Sequence, residues 1–202
     1  MHPVTELSIS LFYSHPEVGT SYLFHLARGE GVIAPDDLDP DAFRAASGGL
    51  RIAERRIYTL LETDAAGDLY SYVAFLLQAL VGLSDADLPP ELERFRSDGT
   101  FMGHEHVVAE LLGEDESQLL LQRSDGGLAL SYLDASGDAP ATRLSPYFSA
   151  VHLDRDAFVR EAAVALDEYF AVARERTRSA PHHELGKRAA HWKAHRARLT
   201  RR

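Results

Sequence analysis

Between Leu7 and Tyr13 apolar and polar positions alternate, with Leu7, Ile9, Leu11 and Tyr13 on one face and Ser8, Ser10 and Phe12 on the other. A period of two in β-forming residues predicts a strand. The run from Ser14 to Gly19 supplies turn residues, and Thr20 to Arg28 alternates again through Tyr22, Phe24 and Leu26, which predicts a hairpin. Asp39 followed by Pro40 has the chemistry of an N-cap and a first helical position, so a short helix is expected up to Ser47, stopped by Gly48-Gly49. Leu50 to Thr63 fits helix and strand templates about equally; its β-branched residues and Tyr58 favour a strand.

Asp68 opens the clearest helix. Leu69, Val73, Leu76, Leu77 and Leu80 recur at helical spacing, and Tyr72, Phe75 and Ala79 widen the apolar stripe until most sides are covered, as in a central helix. Pro89-Pro90 leads into a helical turn through Phe95, broken by Ser97-Asp98-Gly99. Val107, Val108, Leu111 and Leu112 predict a second helix over His104 to Leu112, closed by Gly113. Gln118–Gln122 and Leu128–Leu133 flank Asp125-Gly126-Gly127, the chemistry of a tight hairpin. Arg143 to Leu153 reads as a β segment, with Pro146 suited to an edge or a strand start. Asp154 then caps a long helix to about Arg176, with Leu153 set to pack against Phe158 across the cap and a stripe of Phe158, Ala162, Ala165, Leu166, Tyr169 and Ala173. Strands near both ends of the chain, with helices between and after them, predict an α+β fold: a mixed or mainly antiparallel sheet with helices on one face.

Charge divides the chain in a way that its net value of −10 conceals. The 26 residues from Thr177 onward hold eight basic side chains against Glu184 alone, giving +7; the 176 before them hold 13 basic and 30 acidic side chains, giving −17. The organisation expected is a single acidic domain over residues 1–176 and a basic tail over 177–202. Such a body repels nucleic acid and attracts cationic partners. Within the tail, Leu185, Ala189, Trp192 and Leu199 fall on one helical stripe, so the tail is expected to be helical or partly disordered, and as an amphipathic helix it would dock on a surface through Lys187, Arg188, Trp192 and Arg196. The nearest acidic surface is its own body.

Composition narrows the chemistry further. The chain has no cysteine, which excludes disulfides, thiolate metal sites and cysteine nucleophiles together. Arginine greatly outnumbers lysine, which is restricted to Lys187 and Lys193, a bias typical of GC-rich bacterial coding. The first residues lack the basic and apolar regions of a signal peptide, and Val73–Leu83 is far shorter than the ~20 residues of a membrane span, so a cytoplasmic location is expected. A nucleophile elbow, a phosphate loop and a dinucleotide fingerprint are all missing from the sequence, and no catalytic residue or cofactor is assigned. His191 and His195 stand four apart, the spacing of two metal ligands on one helix face, but Lys187, Arg188, Arg196 and Arg198 around them would repel a divalent ion. His104-Glu105-His106 is read as a polar helix start. Asp36, Asp37, Asp39 and Asp41 lack the glycine and glutamate of a calcium loop and are read as part of an acidic partner-binding face.

Three segments carry a family resemblance: Asp68-Leu69-Tyr70-Ser71-Tyr72-Val73 at the start of the apolar helix, the strand Leu128-Ala129-Leu130-Ser131-Tyr132-Leu133-Asp134, and Leu153-Asp154-Arg155-Asp156-Ala157-Phe158 before the long helix. In their order the chain resembles small bacterial immunity-type proteins of polymorphic toxin systems, from about Ser8 to Ala173. The resemblance is architectural, carries no catalytic residues across, and leaves the basic tail outside the pattern. It implies inhibition by stoichiometric binding of a toxin through an acidic surface, and a basic protein partner suits the charge independently. Two rival classes make different demands. An enzyme needs a concave pocket of titratable groups with shifted pKa values, and a regulatory or nucleic-acid-associated protein needs the tail to be its working part. A homodimer through an open sheet edge is compatible with the pattern.

Overall fold

The computed structural model describes residues 3–15, 19–22, 39–64, 66–113, 117–133, 150–180 and 182–200. Strand β1 (Leu7–His15) runs between β2 (Gly19–Tyr22) and β3 (Gly48–Glu54), and β4 (Tyr58–Thr63) follows β3 at the edge, all antiparallel. A second antiparallel sheet has the order β10 (Val151–Leu153), β9 (Gly127–Leu133), β8 (Gln118–Ser124), β7 (Val107–Leu112). A two-stranded ribbon, β5 (Thr100–Phe101) and β6 (His104–Glu105), precedes β7. The helices are α1 (Pro40–Arg44), α2 (Leu69–Leu83), α3 (Pro90–Glu93), α4 (Arg155–Arg176) and α5 (Glu184–Leu199). The α+β class follows, with eight of the ten described strands divided between two four-stranded sheets. Among the described residues, one parallel bridge, Val4 to Leu153, joins these sheets: Val4 N–H donates to the His152 carbonyl at 2.9 Å, and Asp154 N–H donates to the Val4 carbonyl at 3.0 Å.

Local signals set the helix starts. Asp39, Asp68 and Asp154 each accept a hydrogen bond from a backbone N–H three residues on, those of Ala42, Ser71 and Ala157, at 2.7–2.8 Å. This satisfies donors that a helix start leaves open. Leu153 and Phe158, on either side of the third cap, are both fully buried. Helix α2 packs against β7 of one sheet and against β1 and β3 of the other, α4 lies across β1 and α2, and α5 covers α4. A helix serving two sheets must be apolar nearly all round, and ten of the fifteen residues of α2 are buried. Its one interior polar residue is accounted for: the Gln78 side-chain oxygen accepts from Glu110 N–H of the edge strand β7 at 2.9 Å. No basic residue lies in the last turn of α2; Arg123 and Arg155 instead donate from other elements to its final carbonyls, Gly82 and Leu83, each at 2.7 Å.

Three sequence expectations are corrected. His104–Leu112 is β6 and β7, not a helix. The register of β7 against β8 shifts between Val107 and Ala109, a bulge that buries Val107, Val108 and Ala109 in succession and so imitates helical spacing. Leu50–Thr63 spans two strands around a turn at Arg55-Arg56. Gly48-Gly49 does not stop α1, which ends at Arg44, but opens β3. A Cβ on Gly49 would collide with the Thr63 carbonyl oxygen and with the ring of Phe12, its cross-strand partner. The segments expected as strand over 23–28 and 143–149 lie outside the described residues.

Candidate functional site

The segment from α2 to β7 gathers exposed carboxylates around a hairpin. Ser84 ends α2, and its hydroxyl accepts from Ala86 N–H at 3.2 Å, turning the chain through Asp85 and Asp87. Pro90 starts α3, whose first turn carries Glu91 and Glu93, favourably placed at the positive end of the helix. Glu93 receives the Arg96 guanidinium through two hydrogen bonds, at 2.8 and 2.9 Å, which holds its carboxyl below the usual range and raises the arginine. Asp98 then accepts from Thr100 N–H at 2.9 Å and sets the start of β5. Between β5 and β6, Met102 and Gly103 hold φ of 48° and 84°, the two positive values of a type I′ turn. The ribbon is tied down by the Gln122 side-chain amide, which donates to the Glu105 carbonyl at 2.8 Å, and by Val107 N–H, which donates to the Gly99 carbonyl at 3.0 Å.

The ribbon therefore presents a 66% exposed Met102 at a fixed tip, in a segment where Asp85, Asp87, Asp98 and Glu105 are also exposed. A second tip has the same character. The β3–β4 turn holds Arg55 and Arg56 at φ 51° and 59° and exposes Ile57 and Tyr58 at 72% and 64%. Left-handed backbone in a residue other than glycine is unfavourable, and such strain concentrates at functional sites. The turn is braced where it meets the N-terminal segment: Arg55 N–H donates to the Glu6 carbonyl at 2.7 Å, and its Nε lies 2.9 Å from the Glu6 carboxylate.

The residues singled out in the sequence have different fates. Asp36 and Asp37 lie outside the described residues. Asp39 spends its carboxylate on the cap of α1, and Asp41, also exposed, stands 3.0 Å from Nε2 of His183. In the tail, Trp192 is buried, stacks on Phe170 at 6.0 Å and donates its indole N–H to Asp167 at 3.0 Å. Arg196 grips the same carboxylate through Nε at 2.7 and 2.8 Å. Arg188 lies over the Tyr70 ring, 4.9 Å from its centroid, where burial, and then Arg44, lower its pKa. Lys187 faces solvent. Three of the four tail residues thus contact the protein's own body, and the apolar stripe of α5 is consumed there. His191 is exposed, and His195 Nε2 lies 3.9 Å from Glu91. No group of three side chains able to hold a metal occurs among the described residues.

Sequence reasoning missed Met102, Ile57, Tyr58 and Asp167. The last is an ordinary helical aspartate until a partner helix is known to cover it. Nor does any described helix have the length and apolar character to cross a membrane. Comparison with protein-family models, with curated proteins and with solved structures gives no match to this chain.

Proposed function

We propose that the chain is a non-enzymatic binding protein of immunity type, which neutralises a basic protein partner such as a toxin through its acidic surface. The observation that carries this reading is the exposed Met102 at a left-handed hairpin tip, in a segment with four exposed carboxylates. Carboxylates accelerate encounter with a cationic partner, and a rigid apolar anchor that becomes desolvated in the complex slows dissociation. The body's charge of −17 extends the same attraction over the molecule. Of the two rival classes, the one that makes the tail the working part must do without the apolar stripe of α5, which packs on α4.

The test is affinity capture from the native cell extract, followed by coexpression with the captured protein. A basic protein retained by the wild-type chain, released as salt is raised and lost when Asp85, Asp87 and Glu105 are all changed to Lys, is the expected result. Met102→Asp should weaken retention without altering the melting curve. Equal retention by the charge-reversed chain, or turnover of a small molecule by the chain alone, overturns the reading.

A further inference from the structure

Along the seam between α4 and α5 the lining charge is opposite to that of the molecule as a whole. Where the last turn of α5 meets the first half of α4 beside the end of α2, a groove of about 280 Å³ opens to solvent. Leu83, Val159, Val164 and Leu199 give it an apolar lining. Arg155, Arg160 and Arg196 line it too, with Asp156 the sole lining carboxylate. A second groove of about 170 Å³ continues past the shared Arg196 and adds Arg174 and Lys193, with Asp167 as its one carboxylate. Asp156, Glu161 and Asp167 pair with the three arginines, so in a chain of net charge −10 this seam lacks the excess negative charge that elsewhere repels anions.

The three arginines differ in what holds them. Arg155 is fixed by its hydrogen bond to the Leu83 carbonyl at 2.7 Å. Arg196 is fixed on Asp167, with Nη2 at 2.6 Å as well as Nε. Arg160 reaches Glu161 at 3.1 Å at the surface, with its side chain 55% exposed. Glu161 is only 17% exposed and keeps its partner, while the solvent side of the Arg160 guanidinium can be shared with a ligand anion. A guanidinium suits carboxylate and phosphate oxygens because its donors form a planar fork.

We propose that this groove binds a small amphiphilic anion, with the apolar chain on the Leu83–Leu199 side and a carboxylate or phosphate head on Arg160. The chain loses water against the aliphatic lining while the head keeps a charged partner at the rim. A volume of about 280 Å³ lies near the lower end of the roughly 300–1,000 Å³ typical of ligand pockets, which favours a single medium-length chain over a large ring system. The site uses none of the residues of the acidic hairpin segment, so it stands or falls independently of the partner proposed above.

Titration calorimetry on the full chain tests it with decanoate and decyl phosphate, each below its micellar concentration, against decyltrimethylammonium and acetate. The expected result is saturable one-to-one binding of at least one decyl anion, with no binding of the cation of equal length or of the short anion. Which head binds more tightly separates a fatty-acid source from a phosphate-ester source. Arg160→Glu, an exposed change, should weaken binding at least tenfold, and Val164→Trp should block it by filling the groove. Melting curves confirm that both variants fold. Absence of saturable binding by both anions, equal binding of the cation, or affinity unchanged in the Arg160 variant overturns the proposal.

Discussion

Arg55 and Arg56 occupy a turn that chemistry reserves for Asn-Gly, and the cost is local. Replacing them by Asn and Gly removes two left-handed strains and one exposed ion pair with Glu6, and we expect a net gain of about 1 kcal/mol in urea unfolding. Tyr169 presents the opposite case, a side chain whose polar atom is out of place. Its hydroxyl is buried without a hydrogen-bond partner among the described residues, so Tyr169→Phe should be neutral or slightly stabilising at pH 7. Burial raises the pKa of Tyr169 and of Tyr72 above the ordinary phenol value of 10.0. Above that pH the unfolded chain sheds protons that the folded chain keeps. Their contribution is therefore whole below pH 10 and lost as pH rises toward the folded-state values. The Tyr169→Phe variant should show a shallower alkaline decline in melting temperature than wild type. Tyr72→Phe should also cost stability at neutral pH, because the Tyr72 hydroxyl accepts from Ala66 N–H at 3.0 Å.

At the scale of elements, α5 behaves as part of the core. Trp192→Ala opens a cavity against Phe170 and leaves Asp167 without its indole donor, and a loss of about 3–5 kcal/mol by denaturant titration is expected. Removing residues 177–202 should destabilise the body as well, by uncovering Phe170 and Tyr70. How legible each element is in the sequence follows from whether its signal is local. The three aspartate caps and the Asp125-Gly126 turn can be read directly, because the chemistry lies within a few residues; Gly126 holds φ of 90° with open space around it, so the backbone angle alone requires glycine. Strand β7 is misread because its bulge breaks the period of two. The β3–β4 turn is hidden because two arginines fill positions where glycine or asparagine would announce it. The stripe of α5 is visible as a pattern, but what it covers depends on Asp167 and Phe170, set by a different helix. The candidate site is less legible still, since the exposure of Met102 belongs to the ribbon and not to its sequence.

Over the whole molecule, charge and topology pull in different directions. The chain adds its excess of cations after its acidic body and folds part of that excess back onto the body, so the outer face of α5 remains basic while the hairpin segment stays acidic. Topology concentrates its dependence elsewhere, in the bridge at Val4. Val4→Pro deletes the N–H that reaches the His152 carbonyl, and we expect a loss of about 1–3 kcal/mol, with hydrogen exchange accelerated in β10 and in the first residues of β1. The bridge also has a consequence in time. Val4 leaves the ribosome early, whereas Leu153 is made some 150 residues later, so this backbone link between the two sheets must wait for just over three-quarters of the 202 residues. Contacts so distant along the chain close late and slowly, and until then helix α2, packed on β7 and on β1 and β3, is what holds the two sheets together.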